Sequence, residues 1–173
     1  MPHCFAHDPG IRSPRRKFSR GGGGRRERFQ TNQVLVNDER PVADLVLRED
    51  GGSQKLGTII INTTERRLYY VLPDEQAIKY EVGIGRPGFE WGGVKHIASK
   101  REWPDWTPPI QMIKRRPDLP RFMAGGPDNP LGARALYLGS SLYRIHGTNE
   151  PSTIGHNVSS GCIRMMNEDV IDL

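Results

Sequence analysis

The chain has 173 residues, of which 35% are hydrophobic and 26% are charged, and its formal net charge is +5. This length accommodates one domain of ordinary size with a short extra segment. An apolar run of roughly 18 residues, which a transmembrane helix needs, is absent. No apolar stretch follows the basic residues near the N-terminus, so we read no secretory signal in this chain.

Positive charge is concentrated near the N-terminus. Between Arg12 and Arg28, eight basic residues stand against one acid, Glu27. Because this stretch also holds four consecutive glycines and little apolar periodicity, residues 1–32 are predicted to be a disordered basic Arg/Gly-rich tail. Such segments bind phosphate backbones weakly and without sequence preference, whereas a solvated leader or a misassigned start explains the pattern better. We therefore expect no specific nucleic-acid partner.

The segment that follows leads into a folded domain. Residues 33–55 are predicted to be a linker or edge segment, and residues 56–173 are predicted to be the domain, because short β-rich runs there alternate with Gly, Pro and Asn. Three strands are expected first, of which the first two form a hairpin: Thr58–Asn62, Arg67–Leu72 and Ile78–Ile84. The glycines between Gly83 and Gly88 match neither the dinucleotide-binding spacing nor the P-loop spacing. They therefore predict a sharp turn.

A long loop separates these strands from a second hairpin. Residues 103–130 contain seven prolines, so they predict a loop with a helical turn or two around Ile110 to Arg115. Residues 135–138 and 142–145 then predict a hairpin whose second strand delivers His146. The acids after Asn167 predict a helix start, and the helix is expected to be cut short because the chain stops at Leu173.

Two segments carry the candidate chemistry, one with His146 and the other with Cys162. A cysteine is a nucleophile only as its thiolate, so it needs an imidazole nearby to take the proton. The turn between the two segments lets the chain double back and bring His146 beside Cys162. A backbone carbonyl is the simplest group to orient the imidazole. Cys4 lies in the predicted tail, so we expect no disulfide.

Neighbouring residues suit an acyl-transfer site. Gly161 permits close backbone approach to a reacting carbonyl, and the amides of Gly161 and Cys162 are candidate oxyanion donors. Arg164 projects to the same side as Cys162 if the segment is extended, and its guanidinium suits a substrate carboxylate. A buried, inert cysteine and a surface strand arginine are the alternative interpretations that these residues alone leave open.

These segments match a known pattern. The sequence resembles the YkuD-like L,D-transpeptidase catalytic domain, whose motif is a His-Gly segment followed after roughly fifteen residues by Ser/Thr-x-Gly-Cys-hydrophobic-Arg/Asn. The matching stretches here are His146 to Asn149 and Ser159 to Arg164, and the similarity extends from about Leu56 to the last residue. One departure is Ser160, where many members have a histidine directly before Gly-Cys.

The resemblance implies a fold and an activity. It implies a mainly β fold, a YkuD-like sandwich or barrel of mixed sheets with a helix after the catalytic cysteine. Cys162 would attack the diaminopimelate carbonyl of a peptidoglycan tetrapeptide stem and expel D-Ala, with His146 as proton donor and acceptor. The thioester would pass to an amine, as in 3→3 cross-linking. Site roles implied for other residues are the oxyanion N–H of Gly161, the His146-orienting carbonyl of Gly147, and substrate binding by Arg164, Ser160 and Thr148.

Several expectations accompany this interpretation. No metal or organic cofactor is implied, the partners are peptidoglycan stem peptides, and the chain is expected to act as a monomer. A periplasmic or cell-wall location is inferred from the substrate. The alternatives are an L,D-carboxypeptidase or other cysteine hydrolase that uses the same residues, and a catalytically dead cell-wall binding module.

Overall fold

The computed structural model describes residues 11–12, 33–36, 54–74 and 76–173. Strands dominate these residues, and the mainly β fold expected from the sequence is confirmed. The strands are β1 Ile11–Arg12, β2 Gln33–Val36, β3 Ile59–Asn62, β4 Arg67–Val71, β5 Ala77–Glu81, β6 Ile84–Gly85, β7 Gly93–Glu102, β8 Arg134–Leu138, β9 Arg144–His146, β10 Asn157–Ser159 and β11 Ile163–Arg164. The helices are α1 Ile110–Arg115, a 3₁₀ turn at Pro151–Thr153, and α2 Asn167–Asp172.

The strands form a curled mixed sheet and a small second sheet. The large sheet has the order β1-β5-β4-β3-β2-β7-β8-β9-β11, and the small sheet pairs β10 with β6. Parallel pairs join β1 to β5, β2 to β3 and β9 to β11, whereas the other neighbours in the large sheet are antiparallel. The two sheets meet at β11, because Gly83 and Arg164 exchange backbone hydrogen bonds of 2.9 and 2.8 Å.

The two hairpins predicted from the sequence are present. β3 pairs antiparallel with β4, and β8 pairs antiparallel with β9, so that His146 is the last residue of β9. β3 is buried on both faces, which agrees with its run of three isoleucines. The core gathers apolar side chains from β2, β3, β4, β8, β9, β11 and α2 in one cluster.

The middle of the sheet contains one strand, β2, that was expected only as a linker or edge segment, and one strand, β7, that was not predicted. β2 lies between β3 and β7, so this part of residues 33–55 is an interior strand rather than a linker or edge. Its Val34 and Val36 are buried, while Gln33 and Leu35 are half-buried. β7 is ten residues long and mostly exposed, so its side chains give no apolar alternation to read. Apart from β1, the predicted basic tail of residues 1–32 lies outside the described residues.

The predicted long loop is held by one buried amide. Asn129 donates through Nδ2 to the carbonyls of Pro104, Met123 and Ala124 at 3.0 to 3.2 Å. Its Oδ1 accepts from the Leu131 amide at 2.9 Å. The proline-rich loop therefore follows a defined path, and its only regular element among the described residues is α1, the helical turn expected within it.

Among the described residues, no helix is long and apolar enough to cross a membrane.

Candidate active site

Cys162 lies in the tight turn that joins β10 to β11. The Ser159 hydroxyl organises this turn, because it donates to the Cys162 carbonyl at 2.6 Å and accepts from the Gly161 amide at 3.0 Å. Gly161 has a φ of 105°, which residues with a side chain rarely adopt. The sequence Ser-Ser-Gly-Cys therefore folds into a turn that only a glycine at position 161 accommodates without strain.

Aromatic side chains hold the same turn from outside. Trp91 and Tyr143 stack with ring centroids 4.5 Å apart and planes 4° apart. The Trp91 indole N–H donates to the Gly161 carbonyl at 2.6 Å. A Cβ added at Gly161 would lie 2.6 Å from the Tyr143 ring. The position of the residue before Cys162 is therefore fixed both by hydrogen bonding and by packing.

The parallel pairing of β9 with β11 brings Cys162 and His146 together. Ile163 lies opposite Ile145 and Arg164 lies opposite His146. Both isoleucines are buried in the core. Because side chains alternate along a strand, the residues next to these isoleucines face the other way. Four of them line one pocket: Cys162, Arg164, Arg144 and His146.

His146 is a buried neutral base in this arrangement. Its side chain is 4% exposed, and Nδ1 lies 2.6 Å from the Gly147 carbonyl oxygen. A carbonyl accepts only, so Nδ1 carries the proton and Nε2 keeps its lone pair. Burial, followed by the charges of Arg164 and Arg144, lowers the pKa of His146 to about 4, although the Gly147 carbonyl acts in the opposite direction.

Cys162 is a protonated thiol at rest. Burial raises the pKa of its thiol, whereas the amide and guanidinium of Arg144 and the charge of Arg164 act to lower it. Its Sγ lies 3.8 Å from the Leu142 carbonyl oxygen. With the imidazole neutral and the thiol protonated, the resting pair is neutral. A thiol at position 162 and an imidazole at position 146 therefore start as a neutral pair, not as a thiolate beside an imidazolium.

The pocket has a volume of about 750 Å³ and is lined with positive charge. Its lining includes five arginines, at positions 86, 115, 116, 144 and 164, against two carboxylates, Asp128 and Glu150. Arg164 pairs with Glu150 at 2.9 Å. Guanidiniums of Arg86 and Arg115 lie 4.4 and 5.0 Å from the centre of the Phe89 ring. An anionic ligand suits such a lining.

The structure places the predicted site residues in different surroundings. Ser160 and Arg164 line the pocket with Cys162 and His146. Thr148 is buried, its hydroxyl accepts from the Glu150 amide at 2.9 Å, and it is not part of the pocket lining, so it acts as a turn residue. The N–H of Gly161 donates to the Ser159 hydroxyl, so in this structure it is engaged within the turn and is not free for an oxyanion. Among the described residues the amide of Cys162 has no acceptor, so it is the better candidate.

Residues that the sequence did not single out complete the site. Arg144, Trp91 and Tyr143 all contact the turn or the pocket around Cys162. Arg144 and Tyr143 lie only two and three residues before His146 in the chain, so proximity to the candidate base was an available signal. No sequence signal linked Trp91 to Gly161, which lies 70 residues further on. In the part of the chain that the structure describes, no group of His, Cys, Asp and Glu could hold a metal ion.

Comparison with known proteins gives the family. The model of the YkuD L,D-transpeptidase catalytic domain matches residues 57–173, which include both His146 and Cys162. The chain belongs to the YkuD family of L,D-transpeptidase catalytic domains. The resemblance found in the sequence is therefore confirmed.

Individual relatives match this YkuD domain over different fractions of the chain. It is 44% identical over 163 residues to the Probable L,D-transpeptidase ErfK/SrfK of Escherichia coli, with 82% of this chain and 52% of the relative covered. The chain thus spans about half the length of that curated relative. A Brucella melitensis crystal structure described as a probable carnitine operon oxidoreductase is 40% identical, with a TM-score of 0.49 and coverage of 84% and 86%. L,D-transpeptidase 3 of Mycobacterium tuberculosis is 16% identical, with a TM-score of 0.46 and coverage of 64% and 52%.

The buried His146 of this YkuD domain makes its stability depend on pH. The unfolded chain binds a proton at His146 below a pKa of 6.5, but the folded chain resists protonation until about 4. The free energy of unfolding should therefore fall as pH drops from 6.5 towards 4, by on the order of 3 kcal/mol from this residue. Urea unfolding across this range measures the fall. His146→Gln should remove that part of the pH dependence, and an unchanged slope in this variant would contradict the assignment.

Proposed function

We propose that this chain is an L,D-transpeptidase of peptidoglycan that works through an acyl-enzyme on Cys162. The donor is a tetrapeptide stem in which diaminopimelate precedes a terminal D-Ala. The observation that carries the proposal is the placement of Cys162 and His146 on one face of paired strands, inside an arginine-lined pocket. Family membership agrees with it.

The first half-reaction forms a thioester. His146 accepts the thiol proton at Nε2 while Sγ adds to the carbonyl carbon of the L-centre of diaminopimelate. The C–N bond to D-Ala then breaks, and the leaving nitrogen takes the proton from the imidazolium. Free D-Ala departs, and the stem remains bound to Sγ. The Gly147 carbonyl keeps Nδ1 protonated throughout, so that Nε2 is the nitrogen that exchanges the proton.

The second half-reaction releases the stem. An acceptor amine gives up a proton to His146, attacks the thioester carbon and forms a new C–N bond. The C–S bond breaks, and Sγ recovers the proton from the imidazolium. With the side-chain amine of a second stem as acceptor, the product is a 3→3 cross-link. With water as acceptor, the same residues give an L,D-carboxypeptidase.

Charges in the pocket suit this donor. The stem carries carboxylates on D-Ala and on diaminopimelate, and five arginines line the pocket. Arg164 is a candidate to hold one of them, because it follows Cys162 by two residues and lines the same pocket, where a substrate carboxylate would compete with Glu150 for its guanidinium. Ser160 lines the same pocket and offers a hydroxyl to the peptide. The oxyanion of the tetrahedral intermediate would accept from the Cys162 amide. Since the substrate is peptidoglycan, the proposed location is the periplasm or cell wall.

Intact-mass spectrometry tests the acyl-enzyme. Incubation with a disaccharide tetrapeptide should add the donor mass less D-Ala, and incubation with a carbapenem should add the whole carbapenem, because its opened ring stays attached. Peptide mapping should place both adducts on Cys162. Cys162→Ala should give no adduct, whereas Cys4→Ser, which removes the other cysteine of the sequence, should react like the wild type.

The acceptor is tested with the same donor. A second stem with a free side-chain amine should yield a cross-linked dimer whose formation requires Cys162. A tripeptide as the only product, in the presence of acceptor, would replace transpeptidation with carboxypeptidation. A folded wild-type protein that forms no adduct with either reagent would overturn the proposal and favour a cell-wall binding module.

A further inference from the structure

Arg144 is the residue that the parallel pairing places directly opposite Cys162. Ile145 faces Ile163 in the register of β9 and β11, so the residues that precede them, Arg144 and Cys162, are also neighbours. Both line the pocket. The sequence resemblance assigned no role to this arginine, and it is 18 residues away from the cysteine in the chain.

The side chains of Arg144 and Cys162 meet at one carbonyl oxygen. Arg144 Nη1 donates to the Leu142 carbonyl at 3.2 Å, and Cys162 Sγ lies 3.8 Å from the same oxygen. The Arg144 guanidinium also rests over the Tyr137 ring, with Cζ 5.0 Å from its centre. Stacking on an aromatic ring holds a guanidinium in place without using its N–H donors.

One donor of Arg144 has no partner. Its Nε is buried and makes no hydrogen bond among the described residues. A buried N–H without an acceptor costs free energy, and the cost is recovered when an acceptor forms beside it. The thiol has little accepting capacity, but a thiolate is a strong anionic acceptor. This free donor belongs to the side chain that shares the Leu142 carbonyl oxygen with Sγ, so it is available close to where the charge would form.

We propose that Arg144 is a catalytic residue that donates to Cys162 Sγ and stabilises the thiolate as it forms. This role rests on the proposed function of Cys162 as nucleophile. His146 then serves as the proton acceptor, and Arg144 supplies the positive charge that a stable imidazolium would supply in other cysteine enzymes. Arg164 also has a buried Nε without a partner among the described residues, but its guanidinium is paired with Glu150 at 2.9 Å and makes no contact with the carbonyl that Cys162 Sγ approaches. Arg144 acts to lower the pKa of Cys162, which agrees with this division of roles between Arg144 and His146.

Alkylation of the thiol tests Arg144 without any peptidoglycan substrate. The thiolate displaces iodide from the methylene carbon of iodoacetamide and forms a C–S bond. The rate of this alkylation therefore reports the thiolate fraction. The rate is followed at Cys162 by peptide mapping, since Cys4 carries a second thiol. Near neutral pH, Arg144→Met should slow alkylation about tenfold, because the variant loses both the positive charge and the donor that favour the thiolate. The alkylation rate of Arg144→Lys should lie between the rates of the wild type and Arg144→Met, because lysine keeps the charge but lacks the Nε donor.

Controls separate this effect from misfolding and from nonspecific loss of charge. Arg121→Met removes an exposed arginine outside the pocket lining and should alkylate like the wild type. Thermal unfolding checks that each variant is folded, and Arg144→Gln replaces the methionine variant if that one is not. Folded variants that alkylate within twofold of the wild type would overturn the role of Arg144.

The outcome is independent of the acyl-transfer assay. If the wild type forms the acyl-enzyme but a folded Arg144→Met alkylates normally, the role of Arg144 fails and the proposed function stands. If alkylation slows in Arg144→Met but the wild type forms no adduct with tetrapeptide or carbapenem, Arg144 activates the thiol and the proposed function fails.

Discussion

Replacing His146 with alanine is expected to slow acylation of Cys162 by about 10² to 10⁴-fold, the usual contribution of a positioned general base. The resting thiol is protonated and its pKa is raised by burial, so attack requires a base beside it. His146 presents an unprotonated Nε2 because the Gly147 carbonyl occupies the other nitrogen at 2.6 Å. Stopped-flow or quenched mass spectrometry with a carbapenem measures the rate.

A matched variant distinguishes the base from a packing residue. His146→Gln keeps a polar side chain of similar size that can still donate to the Gly147 carbonyl, but it has no basic nitrogen. Both variants should therefore be slow, and added imidazole should restore part of the rate only in His146→Ala, where there is space for it. A glutamine variant that acylates within tenfold of the wild type would show that His146 is not the base.

The residues of the proposed catalytic pair, His146 and Cys162, were predictable because their signals are local. His146 ends a strand that its own β-branched and aromatic neighbours predict, and Cys162 follows a glycine in a turn rich in small residues. What brings them together is the parallel pairing of β9 with β11. Such pairing joins segments through a connection whose path cannot be read from side-chain alternation. Arg144 became part of the site only through this register.

The sheet interior was less predictable for two different reasons. β2 joins β3 in parallel although the chain between them is long, so no short turn marks the pairing. β7 is polar along most of its length, and it is held in the sheet by backbone hydrogen bonds to β2 and β8 on its two edges. Backbone hydrogen bonds leave no side-chain pattern. The hydrogen bond from the Gly161 amide to the Ser159 hydroxyl was unpredictable for a similar reason, because it is a feature of the folded turn.

Asn167, the first residue of α2, is expected to stabilise the domain more than any surface residue of its type. Its Oδ1 accepts from the amides of Ala133 and Thr148 at 2.9 and 3.2 Å, and its Nδ2 donates to the Thr148 carbonyl at 3.0 Å. The side chain thereby joins α2 to the start of β8 and to the turn after His146. Asn167→Leu leaves three backbone groups without their partner, each at about 1 to 3 kcal/mol.

The free energy of unfolding of Asn167→Leu should therefore fall by about 3 kcal/mol or more, as measured by urea titration near neutral pH. Asn149→Leu is the matched control, because Asn149 makes one exposed hydrogen bond, to the Asp128 carbonyl at 2.8 Å, and should lose less than about 1 kcal/mol. The Asn167 variant should also acylate more slowly where it remains folded. In the wild type, the two hydrogen bonds from Asn167 to the Thr148 backbone fix the turn that contains Gly147. The Gly147 carbonyl in this turn orients His146. Equal stability of the two leucine variants would show that α2 does not hold the His146 turn in place.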